Sequence, residues 1–254
     1  APIIRAIQAR QAAGSPLRYR LVHTGQHYDA RMSGDFFTQL GIPEPDVNLE
    51  VGSGTQAEQT AAIMIRYEKL LLDARSDLCL VVGDVTSTMA CAIAAQKLRV
   101  PVAHVEAGIR SGDWTMPEEI NRLVTDAITN WFFTTSEVAN DHLRRAGVGD
   151  ERIFFVGNTM IDTLLANLPH LRPPAFWAEK GLQPGGYFVM TLHRPANVDS
   201  SQGFARLLRA VGEAVAGMPV VFPVHPRTAK TLAALPDKPA SLLLVDPQPY
   251  LEFN

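Results

Sequence analysis

Carboxylates crowd the stretch HVEAGIRSGDWTMPEEINR at residues 104–122, where Glu106, Asp113, Glu118 and Glu119 fall within a short reach of chain. An earlier acid, Asp84, sits in GDVTST at residues 83–88, and two histidine–arginine groupings come later, His193-Arg194 and His225-Pro226-Arg227. Neighbouring carboxylates in a partly desolvated cleft have their proton affinities pushed apart, so that one holds a proton while another accepts one. Imidazole and guanidinium groups together suit phosphate oxygens. The residue types therefore point to acid–base work beside an anion or nucleotide site.

Each residue also has an ordinary structural explanation. Asp84 is placed to cap a helix that begins near Thr86. Glu118, directly after Pro117, suits the first turn of a helix on dipole grounds. Glu106 follows the apolar run PVAHV, where a carboxylate needs a partner to stay ionised, and Arg110 or Arg122 would serve. A single histidine at a strand end is commonly a satisfied polar group; two His/Arg groupings at successive strand ends favour an anion site. His23, His27 and His104 lack zinc-site spacing, so no metal is expected. Neither a P-loop nor a G-x-G-x-x-G turn follows any strand, which removes the ATP and dinucleotide fingerprints.

The elements that must position these residues follow a repeating grammar of a short apolar run, a Gly or polar turn, and a helically spaced segment. Strands are expected at Tyr19–His23, Asp77–Val82, Pro101–Val105, Asn130–Thr134 and Ile153–Val156, with helices at Gln56–Asp73, Thr88–Lys97, Pro117–Ile128 and Glu137–Ala146. Continuous apolar strands alternating with helices predict a doubly wound α/β domain, its parallel sheet covered on both faces. Ligands in such sheets bind outside the carboxyl ends of the strands, where every polar cluster named above lies. Prolines 169, 173 and 174 and the Pro184-Gly185-Gly186 turn mark residues 169–186 as a linker between residues 1–168 and 187–254. The grammar restarts with strands at Tyr187–Thr191, Val220–Val224 and Ser241–Val245 and a helix at Gln202–Gly217. Three strands are few for an independent core, so this second domain is expected to be incomplete within residue 254; the opening Ala1-Pro2-Ile3-Ile4 likewise reads like the inside of an element.

With 23 basic and 26 acidic side chains and a formal charge of -3, the chain has no basic footprint for nucleic acid or an anionic membrane. Cys79 and Cys91 fit packing positions better than a disulfide framework, which suits a cytoplasmic setting. No apolar run approaches the roughly 20 residues of a spanning helix. A small molecule is the expected partner.

Taken in order, TGQHYD (24–29), GDVTST (83–88), HVEAGIRSGD (104–113), PEEINR (117–122), VGNTMIDT (156–163), TLHRPAN (191–197) and PVHPR (223–227) resemble the non-hydrolysing UDP-N-acetylglucosamine 2-epimerases over nearly the whole chain. The resemblance implies a glycosyltransferase-B type fold of two Rossmann-like domains, with UDP held mainly by the second. It implies conversion of UDP-GlcNAc to UDP-ManNAc without a cofactor: UDP is eliminated across C1 and C2 to leave 2-acetamidoglucal, then added back with the proton on the other face. By the same resemblance Asp84, Glu106, Glu118 and His193 are the catalytic set, and Gln26, His27, Arg66, Arg110, Arg194, His225 and Arg227 lie near substrate or a second UDP-GlcNAc site. A homodimer is a further implication. The family's first strand with its Gly-Thr-Arg-Pro-Glu-like turn, and its Ser-Gly-Gly-x-x-Glu-Glu-like segment, fall outside residues 1–254. Rival readings are an epimerase for another UDP-sugar such as a diacetamido-uronate, a hydrolysing epimerase, a transferase of the same fold, and an inactive UDP-sugar-binding module.

Overall fold

Parallel pairing of short apolar strands organises both halves of the chain in the computed structural model, which describes residues 1–25, 37–192, 195–198, 200–235 and 237–254, with backbone only at 195, 196, 226 and 227. The chain divides into two compact units, residues 1–166 and 167–254.

In the first unit, β3 (Cys79–Val82), β4 (Val102–Val105), β5 (Trp131–Thr134) and β6 (Ile153–Phe155) form a parallel sheet in sequence order. A separate parallel pair joins β1 (Val22–His23) to β2 (Val47–Asn48). β1 is shorter than the expected Tyr19–His23, and β2, only two residues long, carries too little apolar pattern to be read from sequence. Helix α1 (Pro2–Ala12) precedes β1, α2 (Gln56–Asp73) lies between β2 and β3, and β3 to β6 each lead to a helix: α3 (Thr86–Lys97), α4 (Pro117–Ile128), α5 (Glu137–Arg145) and α6 (Thr159–Asn167). α2 opens with a capping box, the Thr55 hydroxyl accepting from the Glu58 amide and the Glu58 carboxylate accepting from the Thr55 amide at 2.8 Å.

Ile63, Tyr67 and Leu71 of α2 pack with Cys79 and Val81 of β3, Val100 and Val102, and a small-residue face of α3 made of Ala90, Cys91, Ala92, Ala94 and Ala95. Alanines there let the two helices approach closely at little entropic cost. Both cysteines are free thiols inside this core. β4 is buried along its whole length, as expected for a strand covered on both faces. Two-sided cover does not extend to β3 and β6 among the described residues: Leu80, Val82, Phe154 and Phe155 are exposed on alternate or consecutive positions. Edge strands have one neighbour and are shielded by fewer helices, which the sequence pattern alone does not reveal.

The second unit has a three-stranded parallel sheet, β7 (Phe188–Val189), β8 (Val220–Pro223) and β9 (Leu242–Val245), in sequence order. Its core joins Val198, Phe204 and Leu208 to Phe222 of β8 and to Leu232 and Leu235. The helix at Ser201–Ala214 starts at Ser200, whose hydroxyl accepts from the Gly203 amide at 3.2 Å. Inside the stretch read as a linker, a short helix forms at Ala175–Glu179 and Leu182 is buried.

Candidate active site

Pairing register brings the first two acids together. Val82 lies opposite Val105, and the Gly83 amide donates to the Val105 carbonyl at 3.0 Å, so the turns after β3 and β4 run side by side. One turn carries Asp84 and the other Glu106. A methyl group built on Gly83 would lie 3.9 Å from Glu106 Oε2, which shows how near the glutamate leans to the neighbouring turn.

Glu106 has φ +68°, in the left-handed region that costs a non-glycine residue roughly 1–2 kcal/mol. Its amide and that of Ala107 both donate to the Phe133 carbonyl, at 2.9 and 3.2 Å. Gly108 follows at φ +77°, with so little room that a Cβ would sit 2.4 Å from the Ala139 carbonyl oxygen. Strain of this kind persists only where surroundings over-determine it, and it clusters at functional sites. Burial pushes the Glu106 carboxyl up from its ordinary range, the Asp84 charge pushes it further, and the His104 charge partly offsets both.

Asp84 caps no helix: the residue at the cap of α3 is Val85, without a side-chain cap bond. Instead Asp84 Oδ2 accepts from Arg122 Nη2 at 2.5 Å and Nε at 3.1 Å, while Asn121 Nδ2 donates to the Asp84 carbonyl at 2.8 Å. Arg122 also reaches Glu119 Oε2 through Nη1 at 2.9 Å. Glu119 is only 2% exposed. Burial alone would raise its pKa, but the amides of Ser111 and Gly112, the Ser111 hydroxyl and Arg122 all donate to the carboxylate and hold it at about 2. Glu119 thus ties the loop after Gly108 to α4. Glu118, one residue earlier in the first turn of α4, is half-buried and has no hydrogen bond or ion pair among the described residues.

Neither arginine proposed as the Glu106 partner fills that role. Arg122 goes to Asp84 and Glu119, and Arg110 Nη1 lies 2.6 Å from Asp126 Oδ2. The reason is helix phase: Glu119, Arg122 and Asp126 follow one another at three- and four-residue steps on α4 and so share the face turned to the strand ends. Glu106 therefore makes no ion pair among the described residues, and the His104 charge is its nearest compensation.

The other predicted residues are spread more widely. Arg66 is exposed on α2, its Nη1 donating to the Leu49 carbonyl and, at 2.5 Å, to the Glu50 carbonyl, and so braces the turn after β2. In the second unit His225 is exposed at the end of β8, with its carbonyl accepting from the Thr228 and Ala229 amides at 2.9 and 3.0 Å. Arg227 lies in the helix Pro226–Ala233. Gln26, His27, His193 and Arg194 lie outside the described residues. An open cavity of about 760 Å³ in the second unit, bordered by Phe176, Lys180, Leu232, Lys238, Asp246 and Gln248, has none of the predicted residues among its described lining.

Sequence reasoning gave no role to Glu119, Asn121 or Asp126, which hold the turns after β3 and β4, and passed over His104 once a zinc site was set aside. His104 gave a signal: a histidine inside the fully apolar PVAHV must find polar partners when buried.

A sequence profile of the UDP-N-acetylglucosamine 2-epimerases matches residues 9–254. An enzyme of that description from Methanocaldococcus jannaschii is 39% identical over 263 residues, covering 99% of this chain and 70% of the relative. A UDP-2,3-diacetamido-2,3-dideoxy-D-glucuronate 2-epimerase from Pseudomonas aeruginosa is also 39% identical, over 242 residues, covering 92% of this chain and 65% of that protein. A crystal structure of the M. jannaschii enzyme in complex with UDP-GlcNAc and UDP superposes with TM-score 0.83 at 36% identity, over 96% of this chain and 70% of that one. The Neisseria meningitidis enzyme bound to UDP-GlcNAc gives TM-score 0.86 at 25% identity, over 99% and 70%. Parallel α/β units with carboxylates at the strand ends are thus those of a glycosyltransferase-B type isomerase. The chain belongs to the UDP-N-acetylglucosamine 2-epimerase family, as its motifs led us to expect.

Proposed function

We propose that the protein interconverts UDP-N-acetylglucosamine and UDP-N-acetylmannosamine by elimination and re-addition of UDP. In the first step the C1–O bond to the pyrophosphate breaks and the C2 proton leaves, giving UDP and 2-acetamidoglucal. In the second, a proton returns to the opposite face of C2 as the UDP oxygen rebonds to C1. Atoms and electrons balance without any oxidant or reductant.

The observation that carries this reading is the contrast between two adjacent strand-end carboxylates. Asp84 is gripped by Arg122, whereas Glu106 makes no ion pair among the described residues and has a raised pKa on a strained turn. A carboxyl group with its pKa moved toward neutrality is suited to take up and give back a proton, an effect worth roughly 10² to 10⁴ in rate. Asp84 is placed to stabilise the positive charge that builds as the phosphate leaves. Glu118 and His193 complete the catalytic set in this reading, and Gln26, His27, Arg66, Arg110, Arg194, His225 and Arg227 the binding set. We further infer a cytoplasmic homodimer, from the reduced thiols and the family resemblance.

A second substrate has specific support, because the diacetamido-glucuronate epimerase is as similar in sequence as the M. jannaschii enzyme. Incubating the full-length protein with each UDP-sugar in deuterated water and following C2 by NMR distinguishes the readings. Deuterium at C2 with UDP-ManNAc formed supports the first, turnover of the uronate alone supports the second, and free ManNAc indicates hydrolysis. Ligand-induced shifts with an intact C2 proton would leave only a binding module.

A further inference from the structure

The turns carrying Asp84 and Glu106 share a buried anchor. Asp126, 6% exposed on α4, spends both carboxylate oxygens on the two turns. Oδ1 lies 2.7 Å from Nδ1 of the fully buried His104, and the other ring nitrogen, Nε2, lies 2.8 Å from the Gly83 carbonyl, next to Asp84. Oδ2 accepts from the Gly108 amide at 3.1 Å, two residues after Glu106, and from Arg110 Nη1 at 2.6 Å. From the other side His142 Nδ1 lies 2.9 Å from the Gly108 carbonyl. The left-handed backbone at Glu106 is therefore held between the Phe133 carbonyl before it and the Asp126 carboxylate after it.

We propose that Asp126 is a positioning residue for the reaction: through His104 and the Gly108 amide, one carboxylate fixes the relative placement of the Asp84 and Glu106 turns. Both His104 nitrogens face acceptors, so the two bonds form together when each nitrogen carries a proton. Asparagine at 126 preserves the scheme by a different proton arrangement. Its Oδ1 still accepts from Gly108 and Arg110, and its NH₂ donates to Nδ1 of a neutral His104 whose Nε2–H remains on Gly83. Alanine at 126 abolishes both links. The proposal rests on the epimerase reading, since it concerns the placement of groups for proton transfer at C2.

The test compares wild type, Asp126→Asn and Asp126→Ala in the full-length enzyme, by deuterium incorporation at C2 and by steady-state kinetics on samples shown folded by circular dichroism. A 1 Å misplacement of a catalytic group costs on the order of 100-fold, so Asp126→Ala should lose about that much in kcat. Its KM should rise by less, within about tenfold, because Asp126 also holds Arg110 of the binding set, so the loss falls mainly in kcat. Asp126→Asn should recover most of the lost kcat, which a charge-based role would not allow. Should Asp126→Ala not fold, His104→Phe carries the test: it fills the same space, breaks the link to Gly83 and should also lose kcat at unchanged KM. Folded Asp126→Ala or His104→Phe with wild-type kcat overturns the proposal. A wild-type enzyme that leaves C2 protonated overturns the functional reading itself, and is recognised without any variant.

Discussion

Replacing Glu119 by glutamine tests the buried carboxylate that ties the 111–112 loop to α4. The carboxylate receives four donors, the Ser111 amide at 2.9 Å, its hydroxyl at 3.0 Å, the Gly112 amide at 3.0 Å and Arg122 Nη1 at 2.9 Å, while its side chain is 3% exposed. Its pKa falls from 4.5 to about 2. At about 1.36 kcal/mol for each tenfold change in proton affinity, the ionised group contributes on the order of 3 kcal/mol. Because the folded value is the lower one, this stability is fully present above pH 4.5 and is lost as pH falls toward 2. An amide at 119 keeps one acceptor oxygen but turns its NH₂ toward backbone amides or Arg122, which can only donate, so Glu119→Gln should cost about 3 kcal/mol at pH 7. Urea unfolding followed by tryptophan fluorescence, from pH 7 down to pH 3, measures both numbers. The gap between wild type and variant should narrow steadily below pH 4.5. A gap that is absent at pH 7, or constant across the range, would refute the reasoning, since the anion would then contribute nothing particular.

Two other substitutions probe the backbone. Glu106→Gly removes the left-handed penalty and should raise stability by about 1 kcal/mol in thermal melts while abolishing exchange at C2, a trade of activity for stability. Gly108→Ala forces a methyl group to within 2.4 Å of the Ala139 carbonyl oxygen at a positive φ, and should destabilise by roughly 2 kcal/mol or more in the same melts, in contrast to the gain at 106. Glu106→Gln tests the electrostatics of the same residue. A carboxyl group whose folded pKa is raised loses stability as pH climbs from 4.5 through the folded value, and glutamine escapes that loss. The variant should be at least as stable as wild type at pH 7 by urea titration, with the difference vanishing below pH 4.5.

Much of the first unit could be read from the chain because β4 and its neighbours are short apolar runs with glycine or acid at their ends, and the family resemblance follows from motifs at those ends. Ion pairing was not legible. Whether Arg122 meets Glu106 or Asp84 depends on strand register and on the rotation of α4, and Glu118 and Glu119 differ by 100° about that helix though they are chemically alike. Glu119 faces inward to the 111–112 amides, and so the acid that sequence treated as a bystander is the buried one. Asp126 was invisible for the same reason: nothing in NRLVTDAI marks a carboxylate that holds two turns from behind. His104 was detectable as a polar residue inside an apolar strand, but its partners lie 21 and 22 residues away along the chain.

The central claim is that Glu106 handles the proton at C2. Its most direct test is the rate of deuterium uptake at C2 of UDP-GlcNAc by wild type and Glu106→Gln at pH 7, with folding verified by circular dichroism. The account predicts rapid uptake by wild type and a loss of roughly 10² to 10⁴ in the folded variant. Uptake at the wild-type rate by folded Glu106→Gln would contradict it.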